Sequence, residues 1–153
     1  MSPLLKRIAI VAAAVLVLAS VNMSIAAKED IKTHGERIYL ALAPVDPRSL
    51  MQGDYMALRF AIAGQIVSQE SGSVGVLVAP NGIATLNLDQ NAPGLRVRYR
   101  LHNGQVWLGT NAYFFEEGTS ERYTGAAYGE FRVDRETGEA VLVALTDKDL
   151  KRK

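Results

Sequence analysis

The sequence predicts a mainly β protein: a small antiparallel sheet or barrel-like domain that follows an N-terminal transmembrane helix. Three observations carry this reading. Residues 8–27, IAIVAAAVLVLASVNMSIAA, run for twenty residues without a charge. Beyond them the chain shows period-2 alternation and little sustained 3.6-residue periodicity. Three turn signals, Asn81-Gly82, Asn103-Gly104 and Thr137-Gly138, each join two β-rich runs.

The first element is the apolar run. Twenty residues at 1.5 Å rise make about 30 Å of helix, the thickness of a bilayer's hydrocarbon core. Lys6 and Arg7 precede the run, whereas Lys28, Glu29 and Asp30 follow it with mixed sign. The positive-inside bias puts the N-terminus in the cytoplasm and the remainder on the far side. A cleaved signal peptide is the rival reading, with Ser24 and Ala26 as the small residues before a cut near Ala26. Both readings export the domain. Residues 1–27 are thus a cytoplasmic tip and anchor, and residues 28–153 a periplasmic β-rich domain.

A juxtamembrane piece of about one further helical turn is expected after Lys28, stopped by Gly35, with strand over residues 37–42. Pro44, Asp46 and Pro47 then impose a loop, since proline fixes its own φ and biases its predecessor toward extended backbone. Residues 74–79 pair with 83–89 across Asn81-Gly82, and 95–101 with 105–109 across Asn103-Gly104. Asn-Gly favours primed turns, because both residues tolerate positive φ. Residues 131–134 pair with 139–145 around Thr137-Gly138. In the second hairpin Leu95, Val97, Tyr99 and Leu101 alternate with Arg96, Arg98 and Arg100, one face apolar and the other cationic. Between Gly118 and Gly125, Thr119 or Ser120 can cap one or two helical turns through Tyr123. The closing DKDLKRK reads as a solvated basic tail, with a minor alternative of contact with anionic headgroups.

Composition removes several function classes. Setting aside Lys6 and Arg7 with residues 1–27 takes the net charge from +1 to −1, so the domain lacks the basic footprint of a nucleic-acid binder. With no cysteine there is no disulfide, thiolate metal site, cysteine nucleophile or lipid-modified cysteine. His34 and His102 lack metal-ligand spacing, and no phosphate-binding loop or nucleophile elbow occurs, so no metal or cofactor is expected.

The densest motif is APVDPRSLMQGDYMALRF, residues 43–60. Met56, Leu58, Phe60 and Ile62 share one parity and make a core face. Tyr55 and Arg59 are the large members of the other. Gly53 suits a sharp corner, and Asp54 and Asp46 can accept hydrogen bonds from nearby loop N–H groups. Asp46, Arg48, Gly53, Asp54, Tyr55, Arg59 and Glu116 form the candidate functional surface, with a register-fixing polar network as the plainer account of the same residues. One of Glu116 and Glu117 is expected to meet Arg59 or Arg48 across the sheet, in a partly buried ion pair. Glu116 and Glu117, adjacent on a strand, would face opposite sides and not act as a pair.

This stretch resembles the signature of the GDYXXLXY family, small bacterial membrane-anchored proteins. Gly53, Asp54, Tyr55 and Leu58 match, and Phe60 stands where a second tyrosine is expected. The similarity extends to PVDPRSLMQGDY, to YFFEEG and to YGEFRVD, so it spans about Lys28 to Leu145. It implies an uncleaved anchor in the inner membrane and association with a polytopic membrane protein, and it brings no established activity and no catalytic residues. The expected function is therefore a membrane-anchored periplasmic accessory or interaction domain. The enzymatic alternative is a tethered hydrolase using Ser49 or Asp54, since RSLMQGD is faintly similar to the nucleophile region of type I signal peptidases. That alternative needs a nearby base, and no lysine occurs between Lys32 and Lys148.

Overall fold

A computed structural model describes residues 2–43, 51–52, 55–89, 91 and 93–153, with 51 and 52 described by backbone alone. Among the described residues one long helix, α1 (Pro3–His34), precedes ten strands: β1 (Glu36–Ala41), β2 (Met51–Gln52), β3 (Tyr55–Ala57), β4 (Gly72–Val78), β5 (Ala84–Leu86), β6 (Leu95–His102), β7 (Gln105–Trp107), β8 (Ala112–Phe114), β9 (Tyr128–Val133) and β10 (Ala140–Thr146). They form three antiparallel sheets, ordered β1-β9-β10, β2-β3-β8 and β5-β4-β6-β7. Backbone contacts knit the sheets into one body: the Tyr39 N–H donates to the Gly82 carbonyl (2.9 Å) and the Arg98 N–H to the Gly138 carbonyl (2.7 Å).

α1 starts on Ser2, whose hydroxyl accepts from the Leu5 N–H, with Pro3 at the first helical position where its missing N–H costs nothing. Its large apolar side chains from Leu4 to Ile25 are exposed, and the helix is long and apolar enough to cross a bilayer. It runs about two turns past Ala27, one more than expected, because Ile31 is buried against the β-domain and Lys28 Nζ meets Glu139 Oε1 at 2.8 Å. Gly35 does end the helix, though not through a left-handed conformation: its φ is −58°. Close approach selects glycine there, since a Cβ would collide with the Ile31 carbonyl oxygen.

The expected alternation in β6 is present: Leu95, Val97 and Tyr99 are buried and Arg98 and Arg100 exposed. Asn103 (φ 49°) and Gly104 (φ 75°) close its hairpin to β7 in the primed geometry. The other Asn-Gly differs. Only Gly82 takes positive φ (86°), and its N–H donates to the Ala79 carbonyl at 2.8 Å. Pro80 fixes a negative φ at the first turn position, which favours an ordinary turn followed by a left-handed glycine over the primed form. In the third hairpin Asp134 Oδ1 accepts from the N–H groups of Glu136 and Thr137 and from the Thr137 hydroxyl, and β10 pairs with β9 through a bulge between Leu142 and Ala144.

The core gathers Ile38, Leu40, Phe60, Val97, Leu108, Phe131, Val133 and Leu145. Phe60 packs edge-on to Phe131 at 5.1 Å. The predicted core parity of Met56, Leu58, Phe60 and Ile62 is correct, all four being buried. The strand is shorter than that parity suggests, because residues 61–65 turn into a 3-10 helix. Another 3-10 turn, Ser120–Tyr123, replaces the capped helical turn, and the Thr119 hydroxyl donates backwards to the Glu116 carbonyl (2.6 Å) instead of capping.

The C-terminus is not a solvated tail. Asp147 Oδ1 accepts from the N–H groups of Asp149 and Lys151, Leu150 adopts φ 61°, and the chain doubles back so that the Lys153 N–H reaches the Leu145 carbonyl (2.9 Å). Arg152 then grips the buried Glu130 with Nε on Oε2 and Nη2 on Oε1, both 2.7 Å. Glu130 lies on β9, twenty-two positions upstream, which is why local composition gave no sign of it.

Candidate functional site

The motif builds the small β2-β3-β8 sheet. Gln52 lies opposite Tyr55 and Met51 opposite Met56, and β3 pairs in turn with β8: Tyr55 with Phe114, Met56 with Tyr113, Ala57 with Ala112. Period-2 geometry sends Met56 inward and leaves Tyr55 and Phe114 side by side on the outer face, ring centroids 5.8 Å apart. Phe114 is 75% exposed, an unusual position for a phenylalanine in a strand.

Behind this pair, Tyr123 from the 3-10 turn stacks on Phe115 (5.1 Å) and meets Tyr113 edge-on (5.2 Å). Burial, reinforced by a hydrogen bond with Tyr123, pushes the Tyr113 phenol above its ordinary pKa. The rings and the loop around them enclose an open cleft of about 450 Å³ lined by Phe114, Phe115, Glu116, Thr119, Arg122 and Tyr123. It offers π faces, one exposed carboxylate and one exposed guanidinium. Its Thr119 and Tyr123 hydroxyls are bonded to a backbone carbonyl and to another tyrosine, so neither of these bonds engages a general base.

The candidate residues divide accordingly. Tyr55 stands at this surface. Arg59 is exposed one residue before Phe60, and its carbonyl accepts from the Ala43 N–H (2.7 Å). Glu116 borders the cleft, two residues past the end of β8, so Glu116 and Glu117 lie outside the strand on which their opposite facing was argued. Among the described residues Arg59 and Glu116 make no ion pair with each other. Asp46, Arg48, Ser49, Gly53 and Asp54 lie outside the described residues. Within the motif, Leu58 and Phe60 are core residues (4% exposed each), and Tyr55 is its outward aromatic.

The sheet's place in the molecule matters as much as its rings. It adjoins the Ala41 end of β1, where Leu42 bridges Phe60 and the Leu42 N–H donates to the Ala127 carbonyl. α1 meets the opposite, Glu36 end. Five strand steps at about 3.3 Å separate the two, roughly 17 Å along the sheet. The docked C-terminus lies at the Ala41 end too, with Lys153 Nζ on the Thr124 carbonyl (3.2 Å), at the end of the sheet away from α1.

A second cleft, about 480 Å³, lies at the helix junction among Asp30, His34, Glu36, Asp134, Arg135 and Glu136. His34 Nδ1 is 2.8 Å from Asp30 Oδ1, a carboxylate four residues earlier on the same helix turn, a pairing the sequence offers by spacing alone. Among the described residues no three His, Asp or Glu side chains converge as metal ligands. Sequence reading missed the Arg122–Tyr123 side of the first cleft and the Glu130–Arg152 grip. The aromatic run at residues 113–115 was the one available signal for the cleft.

Comparison with curated proteins and with solved structures returns no match. A family model does match, described as GDYXXLXY protein, over residues 17–145. That span runs from within α1 to the last paired residues of β10 and includes both strands that carry the Tyr55–Phe114 pair. The chain belongs to the GDYXXLXY family.

Proposed function

We propose that this protein is a single-pass accessory domain of the inner membrane, N-terminus in the cytoplasm and β-domain in the periplasm, which binds the extracytoplasmic part of a polytopic membrane protein. The observation that carries the reading is the exposed Phe114 beside the half-buried, outward-facing Tyr55, at the end of the domain opposite the anchor. Rigid aromatic rings flanked by one cation and one anion suit protein recognition, where aromatic and arginine side chains supply most of the binding energy. The uncleaved anchor is supported by the continuity of α1: residues on both sides of Ala26 belong to one helix, and its last turns are docked through Ile31 and Lys28.

The test is cross-linking in native membranes followed by purification in mild detergent. A polytopic protein should co-purify with the wild type, and Phe114→Ser or Tyr55→Ala should reduce its recovery about tenfold or more, the effect of losing one hot-spot aromatic. Equal recovery with both variants, or wild-type protein isolated alone, would defeat the proposal. A periplasm-dependent reporter fused after Lys153 checks the orientation.

A further inference from the structure

α1 carries a pattern beyond its uniform apolarity. We infer that α1 pairs with α1 of a second copy of this chain, parallel and in register, with the two Asn22 side chains hydrogen-bonded across the seam; the inference rests on the membrane-anchored reading above.

Leu4, Ile8, Val11, Val15, Leu18, Asn22 and Ile25 follow one another at alternating spacings of four and three residues. That is an unbroken heptad stripe over the exposed part of α1. Every member except Asn22 is a large aliphatic residue exposed in the single chain, and all nine alanines and serines of residues 8–27 fall off the stripe. Ile8, Val15 and Asn22 occupy one heptad position and Leu4, Val11, Leu18 and Ile25 the other. β-Branched residues and a single asparagine at the first position, with leucine alternating with β-branched residues at the second, approach the pattern of two-stranded parallel coiled coils.

Asn22 gives the physical reason for an occupant. It lies five residues inside the end of the charge-free run, so its carboxamide sits about 7 Å within the hydrocarbon. One amide N–H donates to the Leu18 carbonyl (2.8 Å). Among the described residues its Oδ1 and second N–H make no further bond, a cost in lipid that a neighbouring helix removes. A carboxamide is both donor and acceptor, hence complementary in partial charge to its own copy across a twofold axis. All copies enter the membrane in the same direction, so the parallel arrangement is imposed. Past the membrane the next two stripe positions are Glu29 and Lys32, of opposite sign and already 3.5 Å apart, which keeps the seam neutral.

The fold leaves this stripe free. Nine residues separate Asn22 from Ile31, about two and a half turns, so the two point to opposite sides of the helix. Ile31 is the residue that packs on the β-domain. A second helix can therefore lie against Asn22 without displacing it.

The natural absence of cysteine makes the test direct. Single substitutions Val11→Cys, Val15→Cys, Leu18→Cys and Ile25→Cys in the full chain should form disulfide-linked homodimers on oxidation in native membranes. Ala13→Cys and Ser20→Cys, on the far side of the heptad, should not. Asn22→Val should weaken association about 3- to 30-fold in a vesicle-based energy-transfer assay. Equal cross-linking on both sides, adducts of another protein's mass, or unchanged association of the Asn22→Val protein would overturn the inference. Alkaline carbonate extraction separates the two failures: protein inserted yet monomeric sinks the dimer alone, and protein released to the supernatant sinks the anchor reading with it.

Discussion

At the Glu36 end of the β1-β9-β10 sheet, Lys28 meets Glu139 and Arg135 meets Glu36 at 2.8 and 2.7 Å, with three of the four side chains about a third exposed or more. At the Ala41 end, Arg152 forks onto a Glu130 carboxylate that is 2% exposed. The distances are nearly equal and the energetic meanings are not. Exposed pairs trade one hydrated state for another and are worth about 0–1 kcal/mol. A buried carboxylate has given up its water, so its partner becomes indispensable even where the pair adds little over an apolar equivalent. The anchor end is thus held by apolar docking of Ile31 and the close approach at Gly35, with ion pairs as decoration. The Ala41 end is held by the long-range grip of Arg152 on Glu130.

Breaking the grip gives the largest expected effect. Arg152→Ala leaves Glu130 buried and unpaired and should cost about 2–3 kcal/mol in chemical denaturation, less than a fully enclosed pair because Arg152 is half exposed. The double change Glu130→Leu with Arg152→Met should recover most of that loss. A loss that persists in the double variant would mean that packing of the tail, and not the charge, fixes this end.

Acid sharpens the same contrast. The Arg152 hydrogen bonds, ahead of the opposing effect of burial, hold the Glu130 carboxyl below its ordinary pKa. A depressed carboxylate stabilises the fold above its unfolded pKa, and that contribution is lost as pH falls through the folded value. The stability gap between wild type and Arg152→Ala should therefore be full near neutrality and close progressively below about pH 4. A gap that is constant down to pH 2 would remove the ion pair as its cause.

Lys28→Ala should produce the smallest effect, below about 1 kcal/mol and screened further by salt. A larger, salt-insensitive loss would show that the lysine stem packs the helix onto the domain, and that the two ends are less different than their exposures suggest.

Much of this was legible from local pattern. The alternation of β6, the core parity of Met56, Leu58 and Phe60, and the primed turn at Asn103-Gly104 depend on neighbours in sequence, which set side-chain direction and turn type. The expectations that failed involve one more influence. Pro80 overrode the primed preference of Asn81-Gly82. Ile31, buried against the β-domain, carried α1 a turn further than expected. The basic tail looked solvated because its anchor, Glu130, belongs to a strand far upstream. Of the candidate surface, Tyr55 and its outward direction followed from parity, whereas its contact with Phe114 required the register of β3 against β8.

Sequence alone determined the hydrocarbon-length helix, the β class of the domain beyond it and the hairpins, because these arise from periodicity and backbone preferences a few residues wide. Only the tertiary structure decided which end of the sheet meets the anchor, that the tyrosine of the motif faces outward beside an exposed phenylalanine, and that the last residues close onto a buried glutamate. Each of those joins residues distant along the chain, and such pairings are chosen by how the sheets pack together, a choice no short stretch of residues records.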